Sequence, residues 1–183
     1  MHIEPGVVDG AKLVLSFATA AASFGLVAKM AIDTIRNDGG IASLAVRSVA
    51  TTALVFSLFE LLPHWPVGVS EVHLILGSTL FLIFGTGPAA IGLVLGLLLQ
   101  GLFFEPKDLP QYAMNVTSLI VPLYGMSLLA RRIISARIVY REVKYHQALA
   151  LSTSFQAGIV MWVAFWALYG RGLGVENLQQ VAS

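Results

Sequence analysis

The sequence contains no cysteine, and only 11% of its 183 residues are charged. Without cysteine the chain can form no disulfide, thiolate metal site or cysteine nucleophile, so any metal ligand must be a nitrogen or oxygen atom. A soluble domain averages about 25% charged residues. The net charge of +1 and the scattered basic residues exclude a nucleic-acid surface. No G-x-x-x-x-G-K-[ST] motif occurs, so we expect no ATP hydrolysis by this chain. No carboxylate pair or nucleophile–base spacing rises above chance either, so we expect no other enzyme activity.

Apolar residues make up 57% of the chain, and its mean hydropathy is +0.81. Charge-free runs indicate membrane spans, because a charge at the bilayer centre costs about 2.5 to 3.5 kcal/mol. The predicted spans lie at about residues 12–32, 41–62, 72–84, 88–104, 114–130 and 148–169. We therefore predict an all-α, polytopic membrane bundle of about six transmembrane helices.

The third and fourth spans come from one charge-free run, residues 74–104. A single straight helix of that length would measure about 46 Å at about 1.5 Å per residue, against a hydrocarbon core of about 30 Å. The sequence Gly85-Thr86-Gly87-Pro88 supplies a break, with the proline suited to the first turn of the next helix. The third segment is then short, and tilted or partly re-entrant.

A basic loop between the fifth and sixth segments sets the predicted topology. It carries Arg131, Arg132, Arg137, Arg141 and Lys144, and the positive-inside rule makes it cytoplasmic. The N-terminus and the loops 63–72 and 105–110 then lie on the outer face. We expect a multi-pass protein of the cell inner (plasma) membrane, surrounded by the lipid bilayer.

We expect a single integral membrane domain over residues 1–183. It divides into an N-terminal metal-binding segment 1–10, a transmembrane bundle 11–170 and a polar C-terminal tail 171–183. The start MHIEPG has no basic n-region and no cleavage site, which argues against a secretory signal. Methionine aminopeptidases act before small residues, so the bulky His2 should preserve Met1.

Met1 and His2 can together chelate a divalent metal. The donors are the terminal amine, the deprotonated amide nitrogen of His2 and its imidazole Nδ1, which form a planar array suited to nickel(II) and copper(II), with cobalt(II) accepted. His64 and His73 are the candidates for a fourth nitrogen, since both fall on the predicted outer face. The competing interpretations are that His2 is accidental and that His64 is an interfacial residue beside Trp65.

Other polar residues can support such a site or simply join helices. Glu71 could attract a cation or serve as an alternative ligand, while Gln100 and Asn115 could orient a histidine by hydrogen bonding. Gln156 is another amide within a predicted span, and each of these amides can equally bond a neighbouring helix. Gly92 and Gly96 form a small-xxx-small pair, which is typical of close helix packing.

Several spaced motifs resemble the CbiM/NikM family, the substrate-specific (S) components of energy-coupling factor (ECF) transporters for cobalt or nickel. The resemblance covers roughly residues 1–132. It rests on the N-terminal pattern MHIxxG, the run GVSEVHLILG at 68–77, the run GTGPAA at 85–90, and QGLFF at 100–104 followed by Met114-Asn115.

The resemblance implies a metal site made of the Met1 amine, the amide and imidazole of His2, and the imidazole of His73. It implies Co²⁺ or Ni²⁺ as the transported substrate, with no organic cofactor. It also implies a transmembrane coupling (T) subunit, cytoplasmic ATPase subunits and, in some members, a small accessory membrane subunit. The alternatives are a membrane metallochaperone or assembly factor, and a helical scaffold that binds no metal.

Overall fold

A computed structural model describes residues 2–3, 6–61, 65–67, 70–72, 75–134, 143–172 and 174. The described part contains six α-helices: α1 (Leu13–Asn37), α2 (Gly40–Leu61), α3 (Gly77–Phe84), α4 (Thr86–Phe103), α5 (Tyr112–Ile133) and α6 (Tyr145–Arg171). Short 3₁₀ helices at Gly10–Lys12 and Pro106–Gln111 precede α1 and α5, respectively. Three short strands complete it: β1 (His2–Ile3), β2 (Trp65–Val67) and β3 (Ser70–Val72).

Within the described ranges, five helices are long and apolar enough to cross a membrane: α1, α2, α4, α5 and α6. The remaining helix, α3, has eight residues and spans about 12 Å at about 1.5 Å per residue, too short to cross the hydrocarbon core. The all-α membrane bundle and the short third segment are therefore confirmed. The side of the membrane on which each end lies stays a prediction.

The two central helices are α4 and α5. In an apolar stretch of 18 residues, 61% of the residues of α4 and 67% of those of α5 are buried within the protein. The corresponding share is 22% in α1, α2 and α6. The outer helices expose large apolar side chains such as Val14, Phe17 and Val46. Such surfaces suit lipid contact, because a helix satisfies its own backbone hydrogen bonds inside a bilayer.

The predicted break between the third and fourth segments is confirmed at Gly85. This residue has φ +90°, a conformation that glycine adopts without a Cβ penalty. Pro88 lies in the first turn of α4, where its missing N–H is not needed. Arg47 of α2 holds the break in place, since its Nη1 donates to the Phe84 carbonyl at 2.9 Å and to Asp38 Oδ2 at 2.7 Å.

Glycines bring α2 and α4 together, as the small-xxx-small pair predicts. A Cβ added to Gly92 would lie 2.6 Å from Thr51, and one added to Gly96 would lie 2.5 Å from Val55. The Thr51 hydroxyl also donates to the Pro88 carbonyl at 2.7 Å. These contacts fix the two helices at close range.

A small antiparallel sheet, with strand order β1-β3-β2, lies at one end of the bundle. The sequence does not indicate this sheet. Its strands have two or three residues each, which is too short for an alternating apolar pattern to emerge. The sheet nevertheless matters, because it joins the N-terminal segment to the loop between α2 and α3.

Candidate metal centre

The described residues of the N-terminal segment pack against the helices of the bundle. Ile3, Val7 and Val8 are almost completely buried, with relative exposures of 0%, 2% and 1%. The last turn of α6 approaches so closely at Gly170 that any Cβ there would overlap the Val7 carbonyl oxygen. Lys12 Nζ donates to the Gly170 carbonyl at 2.7 Å. The end of α6, far away in the sequence, therefore holds the segment.

The strand pairing sets the position of His2 relative to the outer loop. β1 pairs antiparallel with β3, with His2 opposite Glu71 and Ile3 opposite Ser70. Directly opposed residues in such a pair have Cα atoms about 4.5 to 5.5 Å apart. His73 follows the last residue of β3, Val72, in the sequence. β1, the strand that contains His2, is thus joined to the strand that immediately precedes His73 in the sequence.

Asn115, in the first turn of α5, fixes the peptide that follows His2. Its Oδ1 accepts a hydrogen bond of 2.9 Å from the Ile3 backbone N–H, and the two residues are 112 positions apart in the chain. Asn115 is 2% exposed, so water cannot easily replace this acceptor. The Ile3 amide that makes this bond follows directly after the His2 amide in the backbone. The predicted chelate would deprotonate the His2 amide nitrogen.

Gln100, in the last turn of α4, presents a buried acceptor close to Asn115. The residue is 3% exposed, and its Oε1 has no hydrogen-bond partner in the described part of the chain. Gln100 and Asn115 line one small pocket with Tyr112 and the acidic residues Glu105 and Asp108. The pocket has room for about one water molecule. An unused amide oxygen here is available to a donor that enters the site.

A profile of the CbiM family, described as a cobalt uptake substrate-specific transmembrane region, matches residues 2–181. The chain belongs to the CbiM family. The match confirms the resemblance drawn from the sequence and extends it over α6. No curated protein and no solved structure matches the chain.

As a CbiM protein, the chain is a substrate-specific membrane component for cobalt uptake. This is a transport role, which is consistent with the expected lack of enzyme activity and implies partner subunits. The apolar helices and the family description support a multi-pass membrane protein, with the inner membrane as the expected location.

The predicted ligands of this CbiM protein are only partly within the described residues. Met1, His64 and His73 lie outside them, as do the side chains of His2 and Glu71. Among the described residues, no group of three or more His, Cys, Asp or Glu side chains could hold a metal ion. The predicted ligand set therefore stays a prediction, and the described contacts concern its backbone and its surroundings.

Two roles were open for Asn115 and Gln100 from the sequence: the orientation of a histidine or a bond to a neighbouring helix. The contact seen for Asn115 is to the Ile3 backbone, while the orientation of a histidine stays a prediction. Ile3 itself was not singled out as an anchor. A lone apolar residue at a chain end carries no periodic signal, so only the long-range contact reveals its role.

Proposed function

We propose that this CbiM protein is the substrate-binding S component of an ECF-type transporter and that it captures Co²⁺, or Ni²⁺, through its N-terminus. The ligands are the Met1 amine, the His2 amide nitrogen and imidazole, and the His73 imidazole. The observation that carries the proposal is the pairing of β1 with β3. It joins the chelating end of the chain to the strand that precedes the fourth ligand.

The buried surroundings favour a rigid chelate over a loose one. Ile3 is inaccessible to solvent, and its N–H is bound by Asn115, so the peptide after His2 has little freedom. Holding donors in their bound arrangement lowers the entropy lost when the metal binds. A divalent ion with one deprotonated amide and neutral amine and imidazole ligands carries a net charge of +1. Glu71, opposite His2 in the sheet, would offset that charge.

The free amide oxygen of Gln100 supports the same proposal. An imidazole that binds metal through Nδ1 carries its proton on Nε2, and that N–H ordinarily donates to a carboxylate, a carbonyl or water. Gln100 Oε1 is buried and has no partner among the described residues. In this proposal it accepts the N–H of a metal-bound histidine and so fixes the ring's tautomer.

Transport requires energy from other subunits, because the chain has no nucleotide-binding motif. The proposed partners are a transmembrane T subunit and cytoplasmic ATPase subunits, with a small accessory membrane subunit in addition in some members. This part of the proposal is supported by the family's description as a substrate-specific component.

The test is the stoichiometry and affinity of Co²⁺ and Ni²⁺ on purified protein with an unmodified N-terminus. The variants are His2→Ala, His73→Ala and a chain with one residue added before Met1, which moves the amine away from His2. His146→Ala is the matched control, because it removes an exposed histidine from the first turn of α6, at the other end of the bundle.

We expect one metal per chain in the wild type and in His146→Ala, and loss of binding in the other three variants. Binding that survives the added residue would refute the amine ligand. Uptake measured with the coupling and ATPase subunits, compared with uptake by the chain alone, then separates a transporter subunit from a metallochaperone.

A further inference from the structure

The segment that follows His73 is held against α6 by two consecutive residues. Gln156 Nε2 donates to the Ile75 carbonyl at 2.8 Å. Beside it, the ring of Phe155 lies so close to Gly77 that any Cβ at Gly77 would overlap it. Phe155 is completely buried. The start of α3 is thus fixed by a hydrogen bond and by a contact that requires glycine.

The hydrogen bond from Gln156 lies in apolar surroundings. Ile75 is 3% exposed and lines a small apolar pocket with Val55, Phe59 and Leu80. Water therefore has poor access to the Ile75 carbonyl if the glutamine is removed. An amide within a predicted span is otherwise costly, so a defined partner for Gln156 accounts for its presence in α6.

His73 stands in the sequence between two fixed points. Val72, directly before it, ends β3 and pairs with Trp65 of β2. Ile75, two residues after it, is bound by Gln156. Only Leu74 separates His73 from Ile75, and consecutive Cα atoms are about 3.8 Å apart. The described backbone on both sides of His73 in the sequence is therefore bound to other elements.

We propose that Gln156 is a positioning residue of the metal site, which holds the α3 end of the outer loop so that the His73 imidazole meets the N-terminal chelate. The inference rests on the proposed function. It assigns to α6 a role in metal affinity, although α6 supplies none of the proposed ligands.

The test compares Gln156→Leu with Thr51→Val. Both variants remove a side-chain hydrogen bond to the backbone carbonyl of another element, Ile75 in one case and Pro88 in the other. Thr51 binds Pro88 at the start of α4, beyond the far end of α3. The measurements are thermal stability, Co²⁺ and Ni²⁺ affinity, and the visible spectrum of the bound metal, which reports ligand geometry.

We expect Gln156→Leu to weaken metal binding about 10- to 100-fold, the usual effect of losing a group that orients a ligand, and to change the spectrum. Thr51→Val should lose stability while its affinity and spectrum stay those of the wild type. If Gln156→Leu does not fold, Gln156→Asn replaces it, since the shorter amide keeps the polarity but does not reach Ile75.

Wild-type affinity and spectrum in the folded Gln156 variant would overturn the inference, as would an equal loss of affinity in Thr51→Val. Failure of the proposed function has a different signature. In that case the wild type binds no metal, or the His2→Ala variant binds metal as tightly as the wild type. Both results are obtained without any Gln156 variant.

Discussion

Replacing Asn115 by leucine should release the N-terminal segment from the bundle. Leucine has the same branched shape as asparagine but accepts no hydrogen bond, so the Ile3 N–H would lose its partner. Ile3 and Asn115 are 0% and 2% exposed, and a buried donor left unpaired costs about 1 to 3 kcal/mol. At about 1.4 kcal/mol per factor of ten, the ratio of docked to undocked segment should fall about 5- to 140-fold.

Hydrogen exchange followed by mass spectrometry measures that ratio directly. Amides of the peptide covering residues 2–10 should exchange faster in Asn115→Leu by the same factor, because local opening limits their exchange. Metal affinity should fall in the same direction, since a less populated docked state lowers the apparent affinity.

Thr117→Val is the matched control for this experiment. Thr117 is equally buried and lies two residues further along α5, but its hydroxyl donates to the Ala113 carbonyl in the same helix at 2.8 Å. Its loss should leave exchange in residues 2–10 unchanged. Wild-type exchange rates in Asn115→Leu would refute the reasoning, because they would mean that the bond to Ile3 does not hold the segment.

Further predictions concern stability. Gly96→Leu should destabilise the bundle by about 1 to 3 kcal/mol through overpacking against Val55, whereas Gly125→Ala, where a Cβ meets nothing within 4 Å, should be neutral or gain up to about 1 kcal/mol. Thermal unfolding in detergent compares the two, and equal melting temperatures would contradict the packing argument. Arg47→Met should cost about 1 kcal/mol, chiefly by removing the donor to the partly buried Phe84 carbonyl, since the exposed Asp38 carboxylate can bind water instead. The metal affinity of Arg47→Met should equal that of the wild type. A large loss of affinity would mean that the break between α3 and α4 influences the metal site.

The helices could be predicted from the sequence because each carries a long apolar signal. The break at Gly85 followed from the length of the charge-free run and from the Gly-Thr-Gly-Pro sequence, which are both local features. The extension of α1 to Asn37, beyond the predicted end near Ile32, has a local cause as well. Lys29 and Asp33 form an i, i+4 ion pair of 2.8 Å, which supports a helix whose last turns are no longer apolar.

The arrangement around the candidate site could not be predicted in the same way. The pairing of His2 with Glu71 joins strands of two and three residues, and the bond from Ile3 to Asn115 joins positions 112 residues apart. Neither contact leaves a periodic pattern in the sequence. Chemistry at Met1 and His2 could indicate a chelate, but only the fold identifies what holds the adjacent peptide.

The burial of the N-terminal segment has a consequence for the biogenesis of the protein. Residues 2–12 leave the ribosome well before the groups that hold them, since Asn115 lies 112 residues after Ile3 and Gly170 lies 158 residues after Lys12. The segment must therefore wait until α5 and α6 have been inserted. The segment thus reaches its place only after residues that are synthesised more than 100 positions later, and a chain truncated before α6 would lack its contacts at Gly170.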